Sequence, residues 1–189
     1  MRVFVTGASG WIGSAVVPEL IRVGHQVIGL ARSDASAAAL TALGAEVQPG
    51  TIDDLDTLRS AAAASDGVIH LAFKHDLAFT GDFQGAADAD RRAIVTFGET
   101  LAGSDRPLVI ASGTLGLLPG RVATERDWPD SAALPLWPSG PRARMENAQM
   151  TLALASRGVR SSVLRLPPTV HGDGDHGFMA TIVDIARDK

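Results

Sequence analysis

Three observations predict an α/β domain built as a doubly wound parallel sheet with helices on both faces. Short apolar runs alternate with stretches of helical periodicity from one end of the chain to the other. Six such runs, each followed by a helical crossover, imply parallel strands. A glycine-rich segment, Thr6-Gly7-Ala8-Ser9-Gly10-Trp11-Ile12-Gly13, joins the first run to the first helix. Right-handed crossovers in two βαβαβ halves then give the strand order 3-2-1-4-5-6 across residues 1–189.

Val3-Phe4-Val5 reads as the first strand. Ile12, Val16, Leu20 and Val23 recur on one helical face, with Pro18 expected to kink that helix and Gly24 to cap it. Val27-Ile28-Gly29-Leu30 is the second strand. Ser33 or Asp34 caps an alanine-rich helix ending at Leu43-Gly44. Glu46-Val47-Gln48 is a weak third strand, and Asp53 or Asp54 caps a helix with Leu55, Leu58 and Ala62 on one face. Val68 to Ala72 is strand four. A helix over about Ala87–Ala102 turns Ile94, Phe97 and Leu101 inward, and Leu108 to Ala111 is strand five. Pro119, Pro129, Pro135, Pro138 and Pro141 make most of 112–141 a loop. A helix from about Arg142 to Ser156 ends at Gly158. Val159 to Leu166 is strand six, and Phe178 to Ala186 forms a last short helix.

Composition narrows the function classes. The 189 residues are 46% hydrophobic and 20% charged, the mix of one globular domain. Lys and Arg number 17 against 21 Asp and Glu, a net charge of −4 with no basic patch, so neither nucleic acid nor membrane is an expected partner. The absence of cysteine excludes disulfides, thiolate metal sites and thiol nucleophiles. With no signal-peptide pattern, a cytoplasmic location is expected. There is also no tyrosine.

The glycine segment points to a dinucleotide. Glycine permits a tight turn and lets a pyrophosphate approach the backbone, while the following helix N-terminus offers free amides and a favourable dipole. Gly7, Ser9, Gly10, Trp11, Ile12 and Gly13 are therefore candidate cofactor ligands, although the spacing is one residue longer in its first half than the usual fingerprint. An acid at the end of strand two would select NAD; Ala31-Arg32-Ser33 stands there instead. Arg32 can pair with a 2′-phosphate and Ser33 can add a hydroxyl, which favours NADP over NAD. Asp34 would reverse that choice if it turned inward.

With these residues in hand, the chain resembles the short-chain dehydrogenase/reductase superfamily in its extended, epimerase/dehydratase-like branch. The resemblance rests on Thr6 to Gly13, His70-Leu71-Ala72, Ser112, and Arg165-Leu166-Pro167-Pro168-Thr169-Val170-His171-Gly172. It implies an NAD(P)-binding Rossmann domain. It also implies that Leu71, Ala72 and Phe73 line the cofactor ribose, that Pro167, Pro168 and Thr169 border the nicotinamide, and that Gly50-Thr51-Ile52-Asp53 passes the adenine. Members often carry an acid directly after that glycine, where this chain has Thr51. Extended members continue beyond strand six with a substrate region. The chain is either part of a longer polypeptide or a minimal cofactor domain; the first is favoured, because the apolar face of Phe178, Ile182 and Ile185 would otherwise need a partner subunit to cover it. A homodimer through the helices flanking strands four and five is a further expectation of the resemblance.

The catalytic pattern departs from that family. Its members use a Tyr-x-x-x-Lys pair and a serine, often with an asparagine. Counting along the helix after the long loop puts Arg142 at the tyrosine position and Glu146 at the lysine position, with Asp90 at the asparagine. Arginine is a poor proton donor, and a glutamate cannot replace a positive charge. An i, i+4 ion pair between Arg142 and Glu146 is the competing reading. Ser112 and Thr114 remain candidates to orient a substrate, and Lys74, His75 and His171 are candidate proton sources. His171-Gly172-Asp173-Gly174-Asp175-His176 lacks a metal-ligand spacing, so no metal is expected. Trp128 and Trp137 are expected to pack as a lid or line a pocket. Two functions follow. One is an NAD(P)-dependent oxidoreductase or epimerase/dehydratase-like enzyme for a small carbonyl, alcohol or sugar-nucleotide-like substrate, with an atypical active site. The other is a redox sensor or regulatory module that binds NADP(H) without turnover.

Overall fold

The computed structural model describes residues 1–114, 117, 120, 122–128, 138–175 and 177–188. Six parallel strands form one sheet in the order β3-β2-β1-β4-β5-β6. They are β1 (Arg2–Thr6), β2 (Gln26–Ala31), β3 (Glu46–Pro49), β4 (Gly67–His70), β5 (Pro107–Gly113) and β6 (Arg160–Leu166). The helices are α1 (Trp11–Arg22), α2 (Asp34–Ala42), α3 (Leu55–Ala63), α4 (His75–Phe79), α5 (Phe83–Leu101), α6 (Ser139–Ala153) and α7 (Phe178–Arg187). The predicted fold class and strand order are those observed.

Strand alternation divides the core in two. Along β1, Val3 and Val5 pack on one face with Val17, Val27 and Leu40. Phe4, between them, packs on the other with Leu58, Ile94, Phe97 and Leu108. Successive side chains of a strand point to opposite faces, so one short apolar run serves both layers. Phe4 meets Phe97 edge to face at 6.1 Å between centroids, binding the central strand to α5.

Several local expectations change in detail. The α1 helix runs without interruption through Pro18, and Gly24 follows its cap at φ +87. Ser33 caps α2 by accepting from the Ser36 amide at 3.2 Å. Asp54 holds the N-cap position of α3 but caps nothing; its carboxylate accepts from the Thr51 amide at 2.6 Å and the Thr51 hydroxyl at 2.9 Å. The α5 helix starts earlier than periodicity indicates, because Asp82 accepts from the Gly85 amide at 2.8 Å. The α6 helix likewise begins at Ser139, and a 3₁₀ turn over Leu154–Arg157 carries it to Gly158 at φ +70. Ile182, Val183 and Ile185 of α7 are exposed. Among the described residues, no helix is long and apolar enough to cross a membrane.

Candidate active site

Parallel strands carry all their carboxyl ends to one edge of the sheet. There Gly7, Arg32, Gly50, Leu71, Ser112 and Leu166 border a cleft of about 1020 Å³. Ligands of open α/β sheets bind along this edge, where the strand order reverses. Here the reversal falls between β1 and β4, with the glycine segment at its mouth.

The glycine segment forms a compact turn. The Gly10 amide donates to the Gly7 carbonyl at 3.0 Å, and α1 starts at Trp11. Gly7 has φ +66, and a Cβ there would stand 2.7 Å from the Ala72 amide nitrogen. A Cβ on Gly13 would stand 2.2 Å from the Gly7 carbonyl oxygen and 2.5 Å from that of Ala8. The N-cap of α1 is Gly10, which supplies no side-chain acceptor, and no acid stands in the first turn. The orphan amides of that turn and the positive end of the dipole therefore face the cleft without a partner from the helix itself. That fits a pyrophosphate. The Trp11 indole donates across the cleft mouth to the Val170 carbonyl at 2.6 Å, tying the turn to the segment after β6.

Most predicted cofactor residues come together here: Gly7, Ser9, Gly10, Trp11, Ile12, Gly13, Arg32, Ile52, Asp53, Leu71, Ala72, Phe73 and Pro168 all line the cleft. Ser33 does not, because its hydroxyl is the α2 cap, and Ser36 from the next turn lines the wall instead. Arg32 is 74% exposed at its side chain, with Asp76 at 4.0 Å. Asp34 sits in the first turn of α2 and is not in the wall. Asp53 accepts from Lys74 and, at 3.2 Å, from Arg92. The Lys74 hydrogen bond holds its carboxyl below the usual range, against the opposing effect of burial. Asp53 is thus committed to an ion cluster with Lys74 and Arg92.

At the β5 end, Ser112 lines the cleft, whereas Thr114 is bound through its amide to the Leu166 carbonyl at 3.1 Å and lies outside the wall. Arg142 and Glu146 also lie outside it. They face each other along α6 with Nε to Oε1 at 3.8 Å, both part-exposed, which is the ion-pair reading. The α6 side chain that enters the cleft is Arg144, a residue that sequence reasoning passed over. Its guanidinium stacks on Phe73 at 3.8 Å from the ring centroid, and Nη2 donates to the Ala111 carbonyl at 3.2 Å. Of the candidate proton sources, Lys74 and His75 line the cleft and His171 does not. Burial pushes His75 below the ordinary histidine value, and the Arg144 charge adds to this. Trp128 packs beside Arg165, 5.1 Å from its guanidinium carbon, and is not in the wall. Trp137, Pro119, Pro129, Pro135 and His176 lie outside the described residues. Among the described residues, no three His, Cys, Asp or Glu side chains gather as a metal site.

Beneath the cleft floor lies a buried polar chain. His70 Nδ1 is 2.6 Å from the Thr6 hydroxyl, and Nε2 is 3.2 Å from Asp90 Oδ1. Asn147 Nδ2 donates to Asp90 Oδ2 and to the Ala87 carbonyl, both at 2.8 Å. The Ala72 amide donates to Thr6 Oγ1 at 3.3 Å. Because a carboxylate accepts, Nε2–H is the donor to Asp90, while Nδ1 and the Thr6 hydroxyl share the second hydrogen bond. Burial raises the Asp90 carboxyl, but His70, the Arg144 charge and Asn147 together outweigh it and hold it below the usual range. Strand β1, strand β4, α5 and α6 are thereby joined directly below the glycine turn. Thr6, His70 and Asp90 lie at positions that the sequence singles out, whereas Asn147 does not.

The fold is the doubly wound α/β fold, with its cleft at the carboxyl edge of the sheet. Residues 3–87 match the NAD dependent epimerase/dehydratase family. An uncharacterized protein of Schizosaccharomyces pombe is 45% identical over 190 residues, covering 100% of this chain and 61% of that protein. A 4-hydroxy-2-methyl-3-oxo-4-farnesyl-3,4-dihydroquinoline-1-oxide ketoreductase of Stigmatella aurantiaca is 32% identical over 197 residues, covering 100% of this chain and 56% of that protein. The chain thus spans about three fifths of the length of these relatives. In fold it is similar to a UDP-glucose-4-epimerase of Stenotrophomonas maltophila solved with bound NAD. The TM-score is 0.74 at 21% identity, with 100% of this chain and 62% of that one covered.

Proposed function

We propose that the protein is an NADP(H)-dependent reductase of a small carbonyl compound, with an active site that works without tyrosine. The observation that carries this reading is the uncapped α1 N-terminus opening into a cleft that continues to Ser112. Gly7, Gly10 and Gly13 hold the pyrophosphate by leaving room for it. Arg32, exposed at the cleft rim, receives the adenosine 2′-phosphate. Leu71, Ala72 and Phe73 flank the ribose and Pro168 the nicotinamide ring. The bound coenzyme supplies the hydride. Ser112 donates to the substrate oxygen, and His75, in the wall of the same cleft, delivers the proton.

Calorimetric titration with NADPH, followed by nicotinamide absorbance during incubation with aldehydes and ketones, tests the reading. Tight NADPH binding with turnover is expected, and Ser112→Ala is expected to lower kcat about 10²-fold. Binding without turnover on any carbonyl would instead support the sensing module. The coenzyme preference has its own test. Arg32→Ala removes a charge-assisted contact of about 1.5–3 kcal/mol, so NADPH affinity falls roughly 10- to 100-fold while NADH affinity stays unchanged. An equal change for both coenzymes would place the 2′-phosphate elsewhere.

A further inference from the structure

The cleft holds three cations, and they are not equivalent. Lys74 is paired with Asp53, and Arg32 faces Asp76. Arg144 has no carboxylate in salt-bridge reach among the described residues. Among the described residues, its Nη2 has the Ala111 carbonyl alone, and its Nη1 is shut off from solvent with no hydrogen-bond partner. Phe73 covers one face of the guanidinium. Asp90 acts on it only as a more distant charge. A desolvated cation left this incomplete is costly unless something supplies the missing anion. A planar guanidinium stacked on an aromatic ring is also a poor general acid and a good receptor for a carboxylate.

Its position defines what the anion belongs to. The contact with Ala111 puts the guanidinium beside the residue that precedes Ser112 on β5. Ser112 and Arg144 line the same end of the cleft, where one short molecule can present a carbonyl oxygen to the first and a carboxylate to the second. Phe73, Val170 and Met179, also in the wall, offer apolar contact for the rest of such a molecule.

We propose that Arg144 is the substrate-anchoring residue and that the substrate class is short oxo acids, with the carboxylate on the guanidinium and the ketone at Ser112. This rests on the reductase reading and names its substrate. The test compares acetoacetate with ethyl acetoacetate, which present similar ketones and differ in charge. Turnover is measured with NADPH, and binding to the NADP⁺-loaded protein is measured by calorimetry. Wild type is expected to favour the acid by about tenfold or more in kcat/KM and in affinity. Arg144→Gln is expected to erase the preference with NADPH affinity unchanged, and Arg144→Lys to restore part of it. Competition by benzoate but not benzamide in the wild type reads the same site without any substitution, should Arg144→Gln fail to fold. Equal handling of acid and ester by wild type, or a preference that survives Arg144→Gln, overturns the inference and leaves Arg144 as a counter-charge for Asp90. A protein that binds NADPH yet discriminates nothing fails this inference alone; one that binds no NADPH fails the reductase reading with it.

Discussion

Asp90→Ala lowers the free energy of unfolding by about 3–5 kcal/mol, the usual cost of removing one partner from a buried, hydrogen-bonded charge. The reason is what remains behind. His70 Nε2–H and Asn147 Nδ2–H both lose the same acceptor in a region that water does not reach. Arg144 loses its nearest compensating charge as well. In thermal unfolding, at about 2–4 °C per kcal/mol for a chain of this size, the midpoint drops by roughly 10 °C. Asp90→Asn is expected to cost less, because its amide keeps one acceptor for two donors. The pH dependence has a definite sign. A carboxyl whose folded value is depressed stabilises the protein fully above its unfolded value of about 3.9, and that stability is lost as pH falls through the lower folded value. Wild type therefore has an acid limb below about pH 4 to which Asp90 contributes, and Asp90→Ala flattens it. Equal stability of wild type and Asp90→Ala in urea titrations at neutral pH would show that the network carries no weight.

Gly13→Ala produces the largest effect on binding. The added methyl would meet two carbonyl oxygens at 2.2 and 2.5 Å, both backbone, so no side chain can swing aside to admit it. The turn from Gly7 to Gly10 must open or α1 must retreat from β1. Either movement spoils the aim of the first-turn amides. NADPH affinity is expected to fall by about two orders of magnitude, equivalent to about 2.7 kcal/mol, with a stability loss of about 1–3 kcal/mol from overpacking. Gly172→Ala is the matched control. Its Cβ would lie 3.7 Å from the Trp11 ring, an ordinary contact, and affinity should not change. If Gly13→Ala binds NADPH as wild type does, the phosphate does not sit on these amides.

The legible parts of the sequence were those where local chemistry dictates residue type. Phosphate binding requires glycine at Gly7 and Gly13 whatever the rest of the chain does, so that turn could be read residue by residue. Buried parallel strands require compact apolar runs, so the sheet order followed. The register of α6 was not legible. It follows a long proline-rich stretch with no periodicity to count through, and the tyrosine–lysine spacing was placed on Arg142 and Glu146. A helix turns about 100° per residue, so the two-residue step to Arg144 swings the side chain through roughly 200°, from the solvent side to the cleft. Ser33 illustrates a second limit: a serine that could reach a phosphate can equally cap a helix, and its oxygen accepts from the Ser36 amide. The buried chain from Thr6 to Asn147 left only weak traces, because its members come from four distant segments and each is unremarkable alone.

The indole of Trp11 reaches over the entrance and grasps the backbone beyond the sixth strand. The glycine turn and the segment after β6 are therefore tied together across the entrance. For a coenzyme bound as proposed, departure is expected to be coupled to motion of the chain around Val170.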